Sequence, residues 1–172
     1  MGNLIDRIVR AAKLDATLYE EVEADKTAMG QAMTVVLLSG LAAGIGSITK
    51  TGISGIIYGA IGAIIGWFIW ALLTYWIGTK LLPQPQTEAN LGQLLRTIGF
   101  SSSPGLIRIL GIIPGFQNII FFVASIWMLI AMVIAVRQAL DYTSTGRAIG
   151  VCIIGWLIQI AIMVLFVGLI KT

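Results

Sequence analysis

Four long apolar runs constrain this chain more than any other feature of its sequence. They extend over residues 30–48, 52–77, 118–136 and 148–170. Each reaches the roughly 20 residues that a helix needs to cross the hydrocarbon core of a bilayer. The runs lack the alternating pattern of a barrel, so helices are the only form that satisfies their backbone in lipid. The sequence therefore predicts an all-α integral membrane protein.

Composition agrees with this class of protein and argues against several kinds of functional site. Hydrophobic residues make up 58% of the chain and charged residues 11%, against about 25% charged in soluble domains. There is no histidine, and the single cysteine, Cys152, excludes an intrachain disulfide. The eight carboxylates all lie outside the apolar runs, and no phosphate-binding GxxxxGK[ST] motif occurs. We therefore expect no catalytic residues, no metal and no cofactor, and hence no enzyme. The net charge of +3 sits at the ends of the runs and does not indicate nucleic acid.

A third segment, residues 96–116 with the sequence RTIGFSSSPGLIRILGIIPGF, is harder to interpret. Its apolar part is short, but counted from Leu91 it becomes long enough to cross as one helix over residues 91–114. Proline removes a backbone hydrogen bond and serine hydroxyls satisfy freed carbonyls, so we expect this helix to be kinked or broken at Ser101–Pro104. A re-entrant loop is the alternative. Arg108 would then lie near the outer end, where it either snorkels to headgroups or forms a lipid or solute site with Pro104 and Ser103.

The N-terminal segment is predicted to be a separate unit, with residues 1–26 outside the bilayer and residues 27–172 forming the membrane domain. Residues 3–24 have apolar side chains on one side of a helix, broken by Asp15 alone. This pattern predicts an amphipathic surface helix whose Arg7, Arg10 and Lys13 contact lipid headgroups. The alternative is a helix packed on the cytosolic ends of the protein's own spans. The segment does not have the pattern of a cleavable signal peptide.

Glycines recur at intervals of three and four residues along the first two runs. Small residues at this spacing let helix backbones approach closely in lipid. The short connection between the two runs favours packing between them inside one subunit, with homo-oligomer formation as the alternative. The glycines concerned are Gly40, Gly44, Gly55, Gly59, Gly62 and Gly66.

The distribution of lysine and arginine predicts the orientation, because these residues accumulate on the cytoplasmic side. With five crossings and a cytosolic N-terminus, eight such residues lie inside and two outside, Arg108 being left unassigned. Without the third crossing the bias weakens. The sequence therefore favours five crossings and a C-terminus outside. The inside set is Arg7, Arg10, Lys13, Lys26, Lys80, Arg96, Arg137 and Arg147; the outside pair is Lys50 and Lys171.

Three stretches together resemble the Yip1 domain family in its short prokaryotic form. They are LYEEVEADKTAMGQAM before the first run, RTIGFSSSPGLIRILGIIPG, and ASIWMLIAMVIAVRQALDYTSTGRAIGV. The resemblance implies five transmembrane helices and a cytosolic N-terminus. Eukaryotic relatives act in vesicle traffic and bind prenylated Rab GTPases. This chain lacks their long N-terminal region and their Asp-Leu-Tyr-Gly-Pro motif, so Rab binding is not implied.

The fold class expected from these patterns is an all-α integral membrane protein with five transmembrane helices, the third kinked or broken, preceded by an N-terminal amphipathic surface helix. We expect a non-enzymatic protein of a prokaryotic plasma membrane. It would organise the membrane or recruit partners through its N-terminal helix and self-association. Its partners would be the bilayer, including anionic lipids, further copies of itself or other membrane proteins. A small oligomeric transporter or channel, or an anionic-lipid-binding protein, using the broken third helix, is the alternative.

Overall fold

A computed structural model of the chain describes residues 2–170, with only the backbone described for residues 163 and 165–170. Every regular element in this range is helical. The eight α-helices are α1 Leu4–Ala12, α2 Ala16–Ala24, α3 Met29–Gly46, α4 Ile48–Thr51, α5 Ser54–Trp76, α6 Leu91–Phe100, α7 Gln117–Ala139 and α8 Thr145–Ile170. Two 3-10 helices, Lys26–Ala28 and Ser103–Ile112, and one π-helical turn, Ile77–Leu81, complete the set. The predicted all-α class is therefore confirmed.

Among the described residues, four stretches of helix are long and apolar enough to cross a membrane: Lys26–Gly46, Ser54–Leu81, Gln117–Ala139 and Thr145–Ile162. They correspond to the four apolar runs. The second is longer than predicted because the π-helical turn continues α5 beyond Trp76. Thr172 and Lys171, which the orientation argument places outside the cell, lie beyond the described residues.

The N-terminal segment forms two helices where the sequence predicts one. Leu14 has a φ of 63°, a left-handed conformation that interrupts a right-handed helix. Asp15 then caps α2 by accepting a hydrogen bond from the Thr17 N–H at 3.0 Å. The residue that appeared as a break in an apolar face is thus the start of a second helix. We call the pair α1–α2 the N-terminal hairpin.

Helices α3 and α5 pack antiparallel through their glycines. A Cβ added at Gly44 would lie 2.5 Å from the Ile56 Cα, and one at Gly40 would lie 2.9 Å from the Gly59 carbonyl oxygen. Neither position has room for a larger side chain. Gly52, with a φ of 66°, provides the left-handed residue at which α4 ends and the chain turns back. Close backbone approach at small residues is the usual way in which helices associate in lipid.

The third segment consists of two separate helical pieces rather than one kinked α-helix. Asn90 caps the start of α6 in a capping box. The Asn90 side chain accepts a hydrogen bond from the Gln93 N–H, and the Gln93 side chain accepts one from the Asn90 N–H. Helix α6 ends at Phe100, and the 3-10 helix Ser103–Ile112 begins with Pro104 in its first turn, where proline's missing N–H costs nothing. The 3-10 form is unusually long for its type. We call this element the long 3-10 helix.

The third segment lies parallel to α3 along its whole length. Its glycines contact α3 at regular intervals: Gly99 against Ala32, Gly105 against Ser39, and Gly111 against Gly46. A Cβ added at Gly99 would lie 2.8 Å from the Ala32 Cβ, and one at Gly111 would lie 2.8 Å from the Gly46 carbonyl oxygen. Residue numbers increase together in the two elements, so α6 and the long 3-10 helix run in the same direction as α3.

The buried residues form two clusters that meet at α6 and α7. One joins α5, α6, α7 and α8 around Leu94, Ile98, Val136 and Val151. The other attaches the N-terminal hairpin to α3, α6 and α7 through Leu18, Tyr19, Val35, Phe100 and Ala135. The hairpin therefore packs against the helices of the membrane domain.

Candidate functional site

Arg7 holds the N-terminal hairpin onto the start of α3. Its Nε donates to the Glu21 carboxylate at 2.9 Å, its Nη1 to the Gln31 side chain at 2.9 Å and its Nη2 to the Asp25 carboxylate at 2.8 Å. Only 3% of Arg7 is exposed. This corrects the prediction that Arg7 contacts lipid headgroups, because its guanidinium donates to carboxylate and amide groups inside the protein.

The hydrogen bonds around Arg7 lower the pKa of two carboxylates. A hydrogen bond from Thr27, followed by one from Arg7, lowers the pKa of Asp25 to about 2. Hydrogen bonds from Arg10 and Arg7 lower the pKa of Glu21. Both groups remain ionised at neutral pH, so the Arg7 guanidinium lies between two negative charges.

The other two predicted headgroup contacts, Arg10 and Lys13, lie in different surroundings. Arg10 is half-buried and bridges the hairpin through Asp15 at 2.8 Å and Glu21 at 2.6 Å. Lys13 is exposed at the turn between the helices. Of the three basic residues, Lys13 alone presents its full charge to the surroundings.

Two further contacts fix the hairpin to the membrane domain. The Trp127 indole Nε1 donates to the Ala12 carbonyl oxygen at 2.8 Å. Arg96, 6% exposed, donates from Nε to the Val22 carbonyl at 2.8 Å and from Nη2 to the Glu23 carbonyl. Arg96 thus caps the last turn of α2, whose free carbonyls favour a cation. Sequence reasoning missed both contacts, because it treated Arg96 only as a charge that indicates orientation.

A polar cleft of about 540 Å³ separates the hairpin from the loop between α7 and α8. Glu20, Glu23 and Asp141 line it together with Gln93 and Gln138. Gln93 donates to Glu23 at 2.9 Å and Gln138 to Glu20 at 2.7 Å. Burial, and then the neighbouring Asp141 charge, raises the pKa of Glu23 to about 7. Glu23 is therefore partly protonated at neutral pH.

A second cavity, of about 410 Å³, lies among α3, α5, α6, α7 and α8, with the long 3-10 helix at one side. We call it the central cavity. Its walls are mostly apolar or glycine; the polar side chains that line it are Ser39, Ser102, Arg108 and Gln159. The predicted packing glycines divide here. Gly40, Gly44, Gly55 and Gly59 lie at the contact of α3 with α5, and two of these, Gly40 and Gly59, also line the cavity. Gly62 and Gly66 line the cavity and face open space.

Arg108 lines the central cavity from the long 3-10 helix. Its Nη2 donates to the Ser125 hydroxyl at 3.4 Å, and its guanidinium lies 5.7 Å from the centre of the Phe121 ring. Its Nε is buried without a hydrogen-bond partner among the described residues. The predicted neighbours Ser103 and Pro104 are buried but do not line the cavity with Arg108. Within the same described range, the Ser103 hydroxyl and the Trp70 indole N–H also lack partners.

These elements define a helical membrane protein with four candidate spans, a docked N-terminal hairpin and a polar group in a central cavity. The Yip1 domain matches residues 19–166, most of the chain. The chain therefore belongs to the Yip1 domain family, and the resemblance drawn from its sequence is confirmed. Neither a curated protein nor a solved structure matches it.

Proposed function

We propose that this Yip1-family protein is a non-enzymatic organiser of the membrane, acting through its N-terminal hairpin. The observation that carries the proposal is the fixed position of the hairpin. Ala12 is bonded to Trp127, which lies twelve residues before the end of α7, about 18 Å along a helix axis. The hydrocarbon core is about 30 Å thick. The tip of the hairpin therefore reaches well into one leaflet if α7 crosses the bilayer.

The outer face of the hairpin is suited to lipid. Ile5 and Val9 are 69% and 44% exposed, and side chains four residues apart lie on the same side of a helix. Arg7 and Arg10 pair with carboxylates of the hairpin. Lys13, one turn beyond Val9, is exposed and can extend to the headgroups. A hairpin that buries Ile5 and Val9 in lipid would place extra helix volume in one leaflet only, which bends or stiffens a membrane locally.

Two hydrogen bonds support a fifth crossing, by the third segment. Lys50 Nζ, between the first two spans, donates to the Asn118 side chain at 3.0 Å. Gln86 Nε2, after the second span, donates to the Asp141 carbonyl at 3.2 Å. If α3 and α5 each cross, these two contacts lie on opposite sides of the membrane. The chain between Gln86 and Asn118 then has to cross. The charge distribution would put the N-terminus in the cytosol of a prokaryotic cell.

Labelling of single cysteines tests the topology. In a Cys152→Ala background, Gln86→Cys and Asn118→Cys should react with a membrane-impermeant maleimide from opposite sides of the membrane in intact cells. Lys50→Cys should behave like Asn118→Cys. Labelling of Gln86→Cys and Asn118→Cys from the same side would remove the fifth crossing from the proposal.

Reconstitution tests the function. The protein in vesicles of phosphatidylcholine and phosphatidylglycerol should reduce vesicle diameter or produce tubules, as measured by cryo-electron microscopy. The double change Ile5→Ser/Val9→Ser should abolish this effect. A matched control, Ile149→Ser/Ile153→Ser, removes a similarly exposed pair from α8 and should leave it intact. Vesicles that look the same with and without the wild-type protein would overturn the proposal.

Self-association and recruitment of other membrane proteins form the second part of the proposal. The lipid-facing sides of α5, α7 and α8 carry many exposed apolar residues that a second copy can cover. Cross-linking in native membranes, read by mass spectrometry, should yield a dimer or a stable hetero-complex. A small transporter or channel is the second candidate because of the central cavity. Solute flux into vesicles that is lost in Arg108→Ala would favour it.

A further inference from the structure

The central cavity has the dimensions of a ligand site. Its volume of about 410 Å³ falls within the range of about 300–1,000 Å³ that is usual for small-molecule pockets. Along α5 it extends from Gly59 to Trp70, about 16 Å at the helical rise per residue. A long, narrow space of this kind fits an extended hydrocarbon chain.

One wall of the cavity is bare helix backbone. A Cβ added at Gly62 or Gly66 would meet no atom within 4 Å. The other walls present apolar side chains such as Val36, Met128 and Met132. The space is therefore unfilled by the chain itself, and because Gly62 and Gly66 are exposed, it is open at this wall to whatever surrounds the helices.

Arg108 gives this apolar space one positive charge without a counterion. The ion pairs of the described residues involve Arg7 and Arg10 only. All eight carboxylates of the sequence lie before Lys26 or at Glu88 and Asp141, outside the helices that line the cavity. The contacts of Arg108 are a hydroxyl at 3.4 Å and an aromatic ring, and its Nε donates to no described group. A buried charge in lipid normally has a partner.

We propose that the central cavity binds an amphiphile with an anionic oxygen headgroup. Its carboxylate or phosphate pairs with Arg108, and its acyl chain lies along the glycine wall of α5. The oxygens of such a headgroup accept hydrogen bonds from the guanidinium in the geometry that arginine favours. The Gln159 amide, which also lines the cavity, offers a further donor. This site is separate from the N-terminal hairpin, so the test of the site is independent of the role proposed for the hairpin.

Native mass spectrometry of the purified protein from detergent tests the site. The probes are oleate, phosphatidylglycerol and phosphatidylcholine, each titrated alone. We expect one molecule of oleate or phosphatidylglycerol to be retained, and phosphatidylcholine to be retained at least about tenfold more weakly. Retention of oleate alone identifies a free fatty acid as the ligand, and retention of phosphatidylglycerol alone identifies a phospholipid. Equal retention of all three, or of none, overturns the proposal.

Different variants test the charge of Arg108 and the open space of the cavity separately. Arg108→Gln should weaken retention at least about tenfold, and Arg108→Lys should restore part of it. Gly62→Leu fills the wall of the cavity where space is open and should weaken retention to a similar degree with the charge intact. Arg137→Gln, a change to an arginine outside the cavity, should retain the probe as the wild type does. Circular dichroism and size-exclusion profiles check that each variant is folded. Wild-type retention in Arg108→Gln or in Gly62→Leu would refute the site.

Discussion

The Trp127 indole donates a hydrogen bond to the Ala12 carbonyl oxygen at 2.8 Å, across 115 positions of the chain. This bond joins the end of α1 to the middle of α7. Together with the bonds of Arg7, in the first half of α1, it holds the hairpin at two points. The hairpin consequently has a fixed position on the membrane domain. Removal of the Trp127 bond or of the Arg7 bonds should measurably lower the stability of the docked hairpin.

Removal of the bond at Trp127 should loosen α1. Trp127→Phe retains an aromatic ring but deletes the donor, and a net hydrogen bond contributes about 1 kcal/mol. We expect backbone amides of residues 3–14 to exchange hydrogen about fivefold faster, as measured by mass spectrometry. Trp156→Phe, at a position 53% exposed on α8, is the control and should leave that exchange unchanged. Equal exchange in both variants would contradict a role for this bond.

Removal of the Arg7 guanidinium should destabilise the hairpin further, because it leaves two carboxylates facing each other. For Arg7→Gln we expect Tm in detergent to fall by about 5 °C. Arg7→Lys keeps the charge but not the fork of donors, so its Tm should be intermediate. The control is Lys13→Gln, since Lys13 is exposed. A fall in Tm as large for Lys13→Gln as for Arg7→Gln would show that charge alone, and not the buried geometry, matters.

The glycine contact between α3 and α5 should be sensitive to a single methyl group. In Gly44→Ala the new Cβ would lie 2.5 Å from the Ile56 Cα, and backbone has to move. Overpacking of this kind costs about 2 kcal/mol, measurable as the free energy of unfolding in a dodecyl sulfate titration. Gly62→Ala has no atom within 4 Å, and alanine favours helix, so it should not destabilise. A comparable loss at both positions would argue against close packing at Gly44.

The cleft at Glu23 should make stability depend on pH. Burial raises the pKa of Glu23 from an ordinary value of 4.5 to about 7, so the folded state binds a proton that the unfolded state releases. Its favourable contribution is complete below pH 4.5 and is lost as pH rises through 7. We expect Tm to fall between pH 5 and pH 8, and to fall less in Glu23→Gln.

A matched variant keeps this pH experiment specific. Glu88→Gln alters an exposed carboxylate outside the cleft, and its pH profile should follow that of the wild type. A wild-type Tm that is flat between pH 5 and pH 8, or a Glu23→Gln profile identical to the wild type, would contradict the proposed protonation of Glu23 in the folded protein.

The apolar runs could be assigned to helices from sequence because length and hydropathy alone decide that assignment in lipid. The third segment could be divided near Ser101–Pro104, since proline and serine mark such breaks, but its 3-10 form could not. The contacts of Gly105 and Gly111 with α3 are likewise tertiary relationships with no local signal in the sequence.

The polar contacts were the least predictable part. The pairing of Arg7 with Asp25 spans 18 residues, and it arises only because Leu14 adopts a left-handed conformation that folds the hairpin back. A helical wheel treats residues 3–24 as one straight helix and therefore turns Arg7 outward. Likewise, Arg108 was identified as unusual by its position in an apolar segment, but the cavity beside it is formed by helices from the whole chain.

The partners of the N-terminal hairpin lie far downstream, at Gln93, Trp127 and Gln138. The N-terminal hairpin therefore completes its contacts only after α7 has been synthesised. The surfaces of α3 and α6 that help to cover Leu18, Tyr19 and Val22 are made earlier than that of α7. The last side-chain bonds of the hairpin thus form late in insertion, when Trp127 and Gln138 have entered the bundle.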